Sequence, residues 1–144
     1  MSLEENKGVV WRFFDEFANI RNSAVADELV SEDFVMHTSS GRDLEGVETV
    51  KGAYSAFSTS FPDISYTIED MIAEEDRVAF RVTIRGTHTE TFGNLLPTHK
   101  SFKINRFAII RLNNEKFAEG WVLDDNLGRY QQLGALPPDE EIGK

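Results

Sequence analysis

Catalytic chemistry in a small domain starts from polar groups standing where the hydrophobic pattern asks for apolar ones. Val78, Phe80, Val82 and Ile84 alternate with Arg77, Arg81, Thr83 and Arg85, the pattern of a strand with one dry face. Carrying that even register past Gly86 sets His88 on the dry side, where the strand ends. In the last strand the odd register reads Phe117, Glu119, Trp121, Leu123, Asp125, so Asp125 is expected beside an indole and a leucine. On the preceding strand Arg106 shares its face with Phe102, Ile104, Ala108 and Ile110, and His37 closes a short early strand at the edge of the same layer.

A carboxylate in an apolar cavity becomes a stronger base once water no longer solvates it. An imidazole or guanidinium nearby steadies charge that develops on a substrate oxygen. Asp125 and His88, with Phe80, Trp121, Leu123, Arg106 and His37 as lining, are therefore enough for proton abstraction next to a carbonyl, and that chemistry needs no metal or organic cofactor. Each residue also has a structural reading. Asp125 before Asn126-Leu127-Gly128-Arg129 is a good helix N-cap, and His88 can be a satisfied strand-end histidine. Arg106 can form an ion pair with Glu119 or Asp125 across neighbouring strands. A metal site built from His37, His88, His99 and carboxylates is compositionally conceivable, but no two of these histidines have an i, i+2 or i, i+4 spacing.

The elements that must position these groups follow from the periodicity. Ser2 and Glu5 have capping-box spacing, and Val9, Val10, Phe13, Phe14, Phe17 and Ile20 predict a helix over residues 3–22 that buries its phenylalanines in the core. Ser23 is placed to cap a short second helix, residues 34–38 read as a brief strand, and residues 39–43 as a turn. A third helix is expected over 47–60, stopped by Pro62. From Ile64 the period becomes two, with a turn at 74–76, a loop at 89–100, strands over 101–112 and 116–124 joined by a hairpin turn, and a short helix over 127–133. Helices first and a meander of strands afterwards give an α+β domain, with a curved, mostly antiparallel sheet wrapped around the N-terminal helices to leave a cone-shaped cavity.

With 144 residues there is room for one domain, 1–144. Eleven Phe, three Tyr and two Trp suit a core that also walls an apolar cavity, so a small apolar ligand is the expected partner. A net charge of −10 argues against nucleic acid and anionic membrane surfaces. Zero Cys excludes thiolate chemistry and disulfides. No leader pattern opens the sequence and no apolar run approaches membrane-spanning length, from which a cytoplasmic location is expected. Phe107 and Ile109 beside Lys103 and Asn105 give the outer sheet face a mixed surface, which predicts a homodimer through that face. No nucleotide, serine-hydrolase or zinc-protease motif is present.

Arg85-Gly86-Thr87-His88-Thr89, followed by Phe92-Gly93, Pro97-Thr98 and Lys100, resembles the SnoaL-like polyketide cyclases of the NTF2-like superfamily. Phe61-Pro62-Asp63, the hairpin from Glu74 to Phe80, and Glu119-Gly120-Trp121 leading to Asp125 and Gln131-Gln132-Leu133-Gly134 agree with it, so the resemblance spans residues 5–135. It implies an α+β cone, often dimeric, and ring closure of a polyketide ester by intramolecular aldol condensation. The family's acid/base aspartate maps onto Asp125 and its motif histidine onto His88. The family's usual Pro-Pro-Thr-Gly-Lys loop is Leu96-Pro97-Thr98-His99-Lys100 here, a change at the pocket mouth that bears on substrate identity. The superfamily also hosts isomerases, hydrolases and non-catalytic binders, so those remain the alternatives to a cyclase.

Overall fold

Ser2 caps the first helix, its hydroxyl accepting the Glu5 N–H at 3.0 Å. In the computed structural model, which describes residues 2–141, that helix, α1 (Leu3–Arg12), runs directly into a π-helical segment, Phe13–Asn19. The wider π turn lets the adjacent Phe13 and Phe14 both point inward together with Phe17 and Ala18. Phe13 packs on Phe117 and edge-on against Tyr54, and Phe14 packs edge-on against Phe80. The helix expected to reach residue 22 therefore ends earlier, and Arg21 turns the chain with a left-handed φ of 67°.

Next come α2 (Ser23–Leu29), with Asn22 in the cap position, and β1 (Val30–Thr38), which starts at Val30 rather than Phe34. The turn expected over 39–43 joins β1 to a short antiparallel partner, β2 (Asp43–Glu45), so that only its last residue, Asp43, lies in a strand. The remaining elements are α3 (Val47–Ser60), β3 (Ser65–Glu74), β4 (Arg77–Thr87), β5 (Ser101–Asn113), β6 (Lys116–Asp124) and α4 (Asn126–Gln132). The fold is α+β. Its six strands form one curved, unclosed sheet in the order β2-β1-β6-β5-β4-β3, antiparallel throughout except for the β1–β6 pair.

The dry faces of β4 and β5 lie where the alternation puts them: Val78, Phe80, Val82 and Ile84 are buried, as are Phe102, Ile104, Arg106, Ala108, Ile110 and Leu112. Strand β6 departs from expectation. Phe117 pairs with Leu112, but Glu119 pairs with Arg111, leaving Ala118 as an extra residue in a β-bulge. One extra residue inverts every side chain after it. Gly120 and Asp124 consequently face the interior, and Trp121 and Leu123 face out. A Cβ at Gly120 would stand 2.7 Å from Ile110 Cδ1 and 3.0 Å from Met36 Sδ, so a larger residue there would require those side chains to shift. Leu123 is 58% exposed, and Trp121 lies on the outer face between the His37 ring and the Arg77 guanidinium. Both residues were expected to line the cavity, and the bulge is why they do not.

The outer face of the sheet also exposes Ile72, Phe107 and Ile109. Among the described residues no helix is long and apolar enough to cross a membrane.

Candidate functional site

Antiparallel pairing across the bulge sets Asp124 directly opposite Arg106. The Arg106 Nε donates to Asp124 Oδ1 at 2.6 Å and Nη2 donates to Oδ2 at 3.1 Å, a bidentate pair with both side chains nearly buried. The third guanidinium nitrogen, Nη1, donates to the Tyr54 hydroxyl oxygen at 2.7 Å. Tyr54 reaches this point from α3 and is held by the rings of Phe13, Phe17 and Tyr66, so the π-helical turn serves the site as well as the core. Since the Tyr54 oxygen accepts from Arg106, its own hydrogen is left for another acceptor.

These three groups line a cavity of about 260 Å³ inside the cone. Its apolar wall comes from Met36, Leu44, Val50, Phe57 and Val122, and its mouth from the exposed Ser39, Ser40, Arg42 and Asn126. A larger depression of about 650 Å³ lies on the outer face, against Phe107, Ile109 and Trp121. The inner cavity is the candidate site because it joins an enclosed apolar wall to converging polar groups.

The electrostatics follow from burial and pairing. Burial pushes the Asp124 carboxyl up, but the charge and hydrogen bonds of Arg106, helped by the charge of Arg129, outweigh it and hold the group below the usual carboxylate range. Burial raises the Tyr54 phenol and Arg106 only partly offsets that, so Tyr54 keeps its proton near neutral pH. The site thus holds an ionised carboxylate and a protonated phenol on opposite sides of one guanidinium.

Asp125 lies outside this cavity. It is exposed, and its carboxylate accepts the Gly128 N–H at 2.8 Å as the N-cap of α4. The buried acid is its neighbour Asp124, because the bulge shifts the register by one. His88 is fully buried, but at the far end of β4 and not in the cavity lining. Its Nδ1 accepts the Thr98 N–H at 3.1 Å, which puts the ring hydrogen on Nε2, a buried atom with no partner among the described residues. His37 is on the outer face, between Glu119 at 2.8 Å and Asp43 at 3.0 Å, and these two carboxylates raise its pKa. Phe80 faces inward as expected but packs on Phe14 in the core. Of the residues singled out from the sequence, Arg106 alone lines the cavity; Asp124 and Tyr54 escaped sequence reasoning. The available signal was Arg106 itself, since a guanidinium in a buried register demands a carboxylate opposite, and a slip of one residue supplies Asp124. Among the described residues no three His, Asp or Glu side chains are grouped to hold a metal.

The family model of SnoaL-like polyketide cyclases matches residues 8–133. Among curated proteins none matches this chain in sequence. Several solved structures share its fold. A "putative SnoaL-like polyketide cyclase" from Jannaschia sp. CCS1 superposes with a TM-score of 0.84 at 21% identity, covering 94% of each chain. A "putative polyketide cyclase" from Bacillus cereus ATCC 10987 gives 0.78 at 29% identity, over 94% of this chain and 87% of that one. A protein with a ketosteroid isomerase-like fold from Catenulispora acidiphila DSM 44928, solved with trimethylamine, gives 0.74 at 14% identity, over 89% and 93%. The cone is thus an NTF2-like fold.

Proposed function

The chain belongs to the SnoaL-like polyketide cyclase family, and from that premise we propose that it closes a ring in a small polyketide-type ester by intramolecular aldol addition. The observation that carries this reading is the Asp124–Arg106–Tyr54 chain on the wall of the apolar cavity. Asp124, the carboxylate of that wall, takes a proton from a carbon activated by flanking carbonyls. The Tyr54 hydroxyl, polarised by Arg106, donates to the enolate oxygen as charge develops there. The enolate carbon then bonds to a ketone carbon of the same molecule, and the resulting alkoxide recovers the proton from Asp124. Atoms balance with no redox step, and the product is an isomer of the substrate. The lining keeps the charged intermediate away from water.

The first step is measurable without the natural substrate. In D2O, methyl 3-oxo-3-phenylpropanoate should exchange its activated hydrogens faster with the protein than in buffer, as followed by proton NMR. Exchange at the buffer rate despite saturable binding would leave only a binding protein.

We propose further that the protein is a homodimer with two-fold symmetry through the outer sheet face, where Ile72, Phe107, Ile109 and Leu123 are exposed together. Light scattering at micromolar concentration should give twice the chain mass, and Phe107→Asp should give the monomer. A wild-type protein of monomer mass would rule the dimer out.

A further inference from the structure

Charge around the cavity does not balance. The chain carries a net −10, yet among the described residues the cavity lining holds Arg42 and Arg106 against the single acid Asp124, and Arg129 lies against the lining ring of Phe57. Asp124 neutralises Arg106. Arg42 stands at the mouth on the β1–β2 turn, and among the described residues its side chain has no hydrogen-bond or ion-pair partner.

Arg129 is the more unusual of the two. It is 1% exposed on α4, with its guanidinium over the rings of Phe57 and Phe102 at 4.9 and 5.0 Å. Its Nη1 donates to Asn126 Oδ1 at 2.8 Å, whereas Nε and Nη2 are buried with no acceptor among the described residues. Phe57 and Asn126 both line the cavity, so this cation lies one side chain behind the wall. A buried charge without a direct ion pair is destabilising, and ring faces offset it only in part. Burial accordingly lowers the Arg129 pKa, with Asp124 opposing and Arg106 reinforcing the effect.

We infer that the substrate carries a free carboxylate in addition to its reacting carbonyls, its charge facing Arg42 at the mouth and lying within the field of Arg129. This inference rests on the cyclase reading of the same cavity, and it narrows the substrate to a keto ester that also bears a free carboxylate. A fully esterified molecule leaves both cations unanswered. The volume of about 260 Å³ lies just below the roughly 300–1,000 Å³ of common ligand pockets, which limits the body to one or two rings.

The test is a matched pair, 2-naphthoate and methyl 2-naphthoate, titrated calorimetrically into the wild-type protein, Arg42→Gln and Arg129→Met. Arg129→Met removes an unpaired charge from the interior, so it should keep the fold; its melting curve is recorded alongside. The acid is expected to bind about tenfold more tightly than the ester, the scale of one charge-assisted hydrogen bond. Arg42→Gln should erase most of that preference while leaving ester affinity unchanged, and Arg129→Met should reduce it. Equal binding of acid and ester, or a preference that survives both substitutions, overturns the carboxylate but leaves the apolar cavity standing. Failure of both compounds to bind overturns the cavity reading and this inference together.

Discussion

In Asp124→Asn, catalysed deuterium exchange into the β-keto ester should fall by at least ~10²-fold, the usual contribution of a positioned base. In Asp125→Asn it should stay at the wild-type rate. The two substitutions make the same chemical change at adjacent positions, so the contrast isolates location. Asp124 lines the cavity and is ionised by its pairing with Arg106. An amide there keeps the shape and one acceptor oxygen but takes no proton. Asp125 holds only the Gly128 N–H, and asparagine caps a helix about as well as aspartate. Asp125→Ala completes the set, with a stability loss of about 1 kcal/mol from the missing cap and exchange intact. Calorimetric binding of methyl 2-naphthoate should persist in all three, which separates a lost base from a collapsed cavity. Wild-type exchange in Asp124→Asn would remove Asp124 from the mechanism. Loss confined to Asp125→Asn would restore the residue that the family motif implies.

Most of the architecture was legible because it depends on local pattern. The alternation from Val78 to Ile84 fixed which side of β4 is dry. The helix expected over 47–60 and stopped by Pro62 is α3. What escaped depends on contacts distant in sequence. The π turn at Phe13–Asn19 has the composition of an ordinary amphipathic helix, and its extra residue per turn is favoured by where Phe117, Tyr54 and Phe80 lie. The bulge at Ala118 is equally silent locally, since Phe117-Ala118-Glu119-Gly120-Trp121 alternates acceptably in either register. Its physical cause lies across the sheet, where Arg106 must meet a carboxylate and Gly120 must pass beneath Ile110 and Met36. A single misplaced residue therefore put Trp121, Leu123 and Asp125 inside the cone on paper and exchanged Asp124 for its neighbour. The family motif could not correct this, because it fixes an order of residue types and not the face to which each one turns.

Arg106→Leu should be the most destabilising single change at the site. It strands Asp124, mostly buried and without its counter-charge, and breaking such a pair costs about 3–5 kcal/mol. For a chain of this length that corresponds to a fall in melting temperature of roughly 10 °C at pH 7. Arg106→Leu combined with Asp124→Leu should recover part of the loss, because neither member of the ion pair is then left without the other, yet it should show no exchange above buffer. The pH dependence carries the sign of the Asp124 shift. In the wild type the folded-state pKa lies below the unfolded one, so the stability contributed by the pair is complete above the unfolded value of about 4. It is lost as pH falls through the folded value. In Arg106→Leu the main lowering influence is gone and burial dominates, so Asp124 takes up a proton at higher pH and the penalty shrinks on acidification. The gap between wild type and variant should therefore be widest near pH 7 and narrow toward pH 4. Melting curves at the two pH values decide the matter: a gap that does not change with pH would mean that Arg106 stabilises the cone by packing against Tyr54 and Tyr66 rather than by holding Asp124 in its charged form.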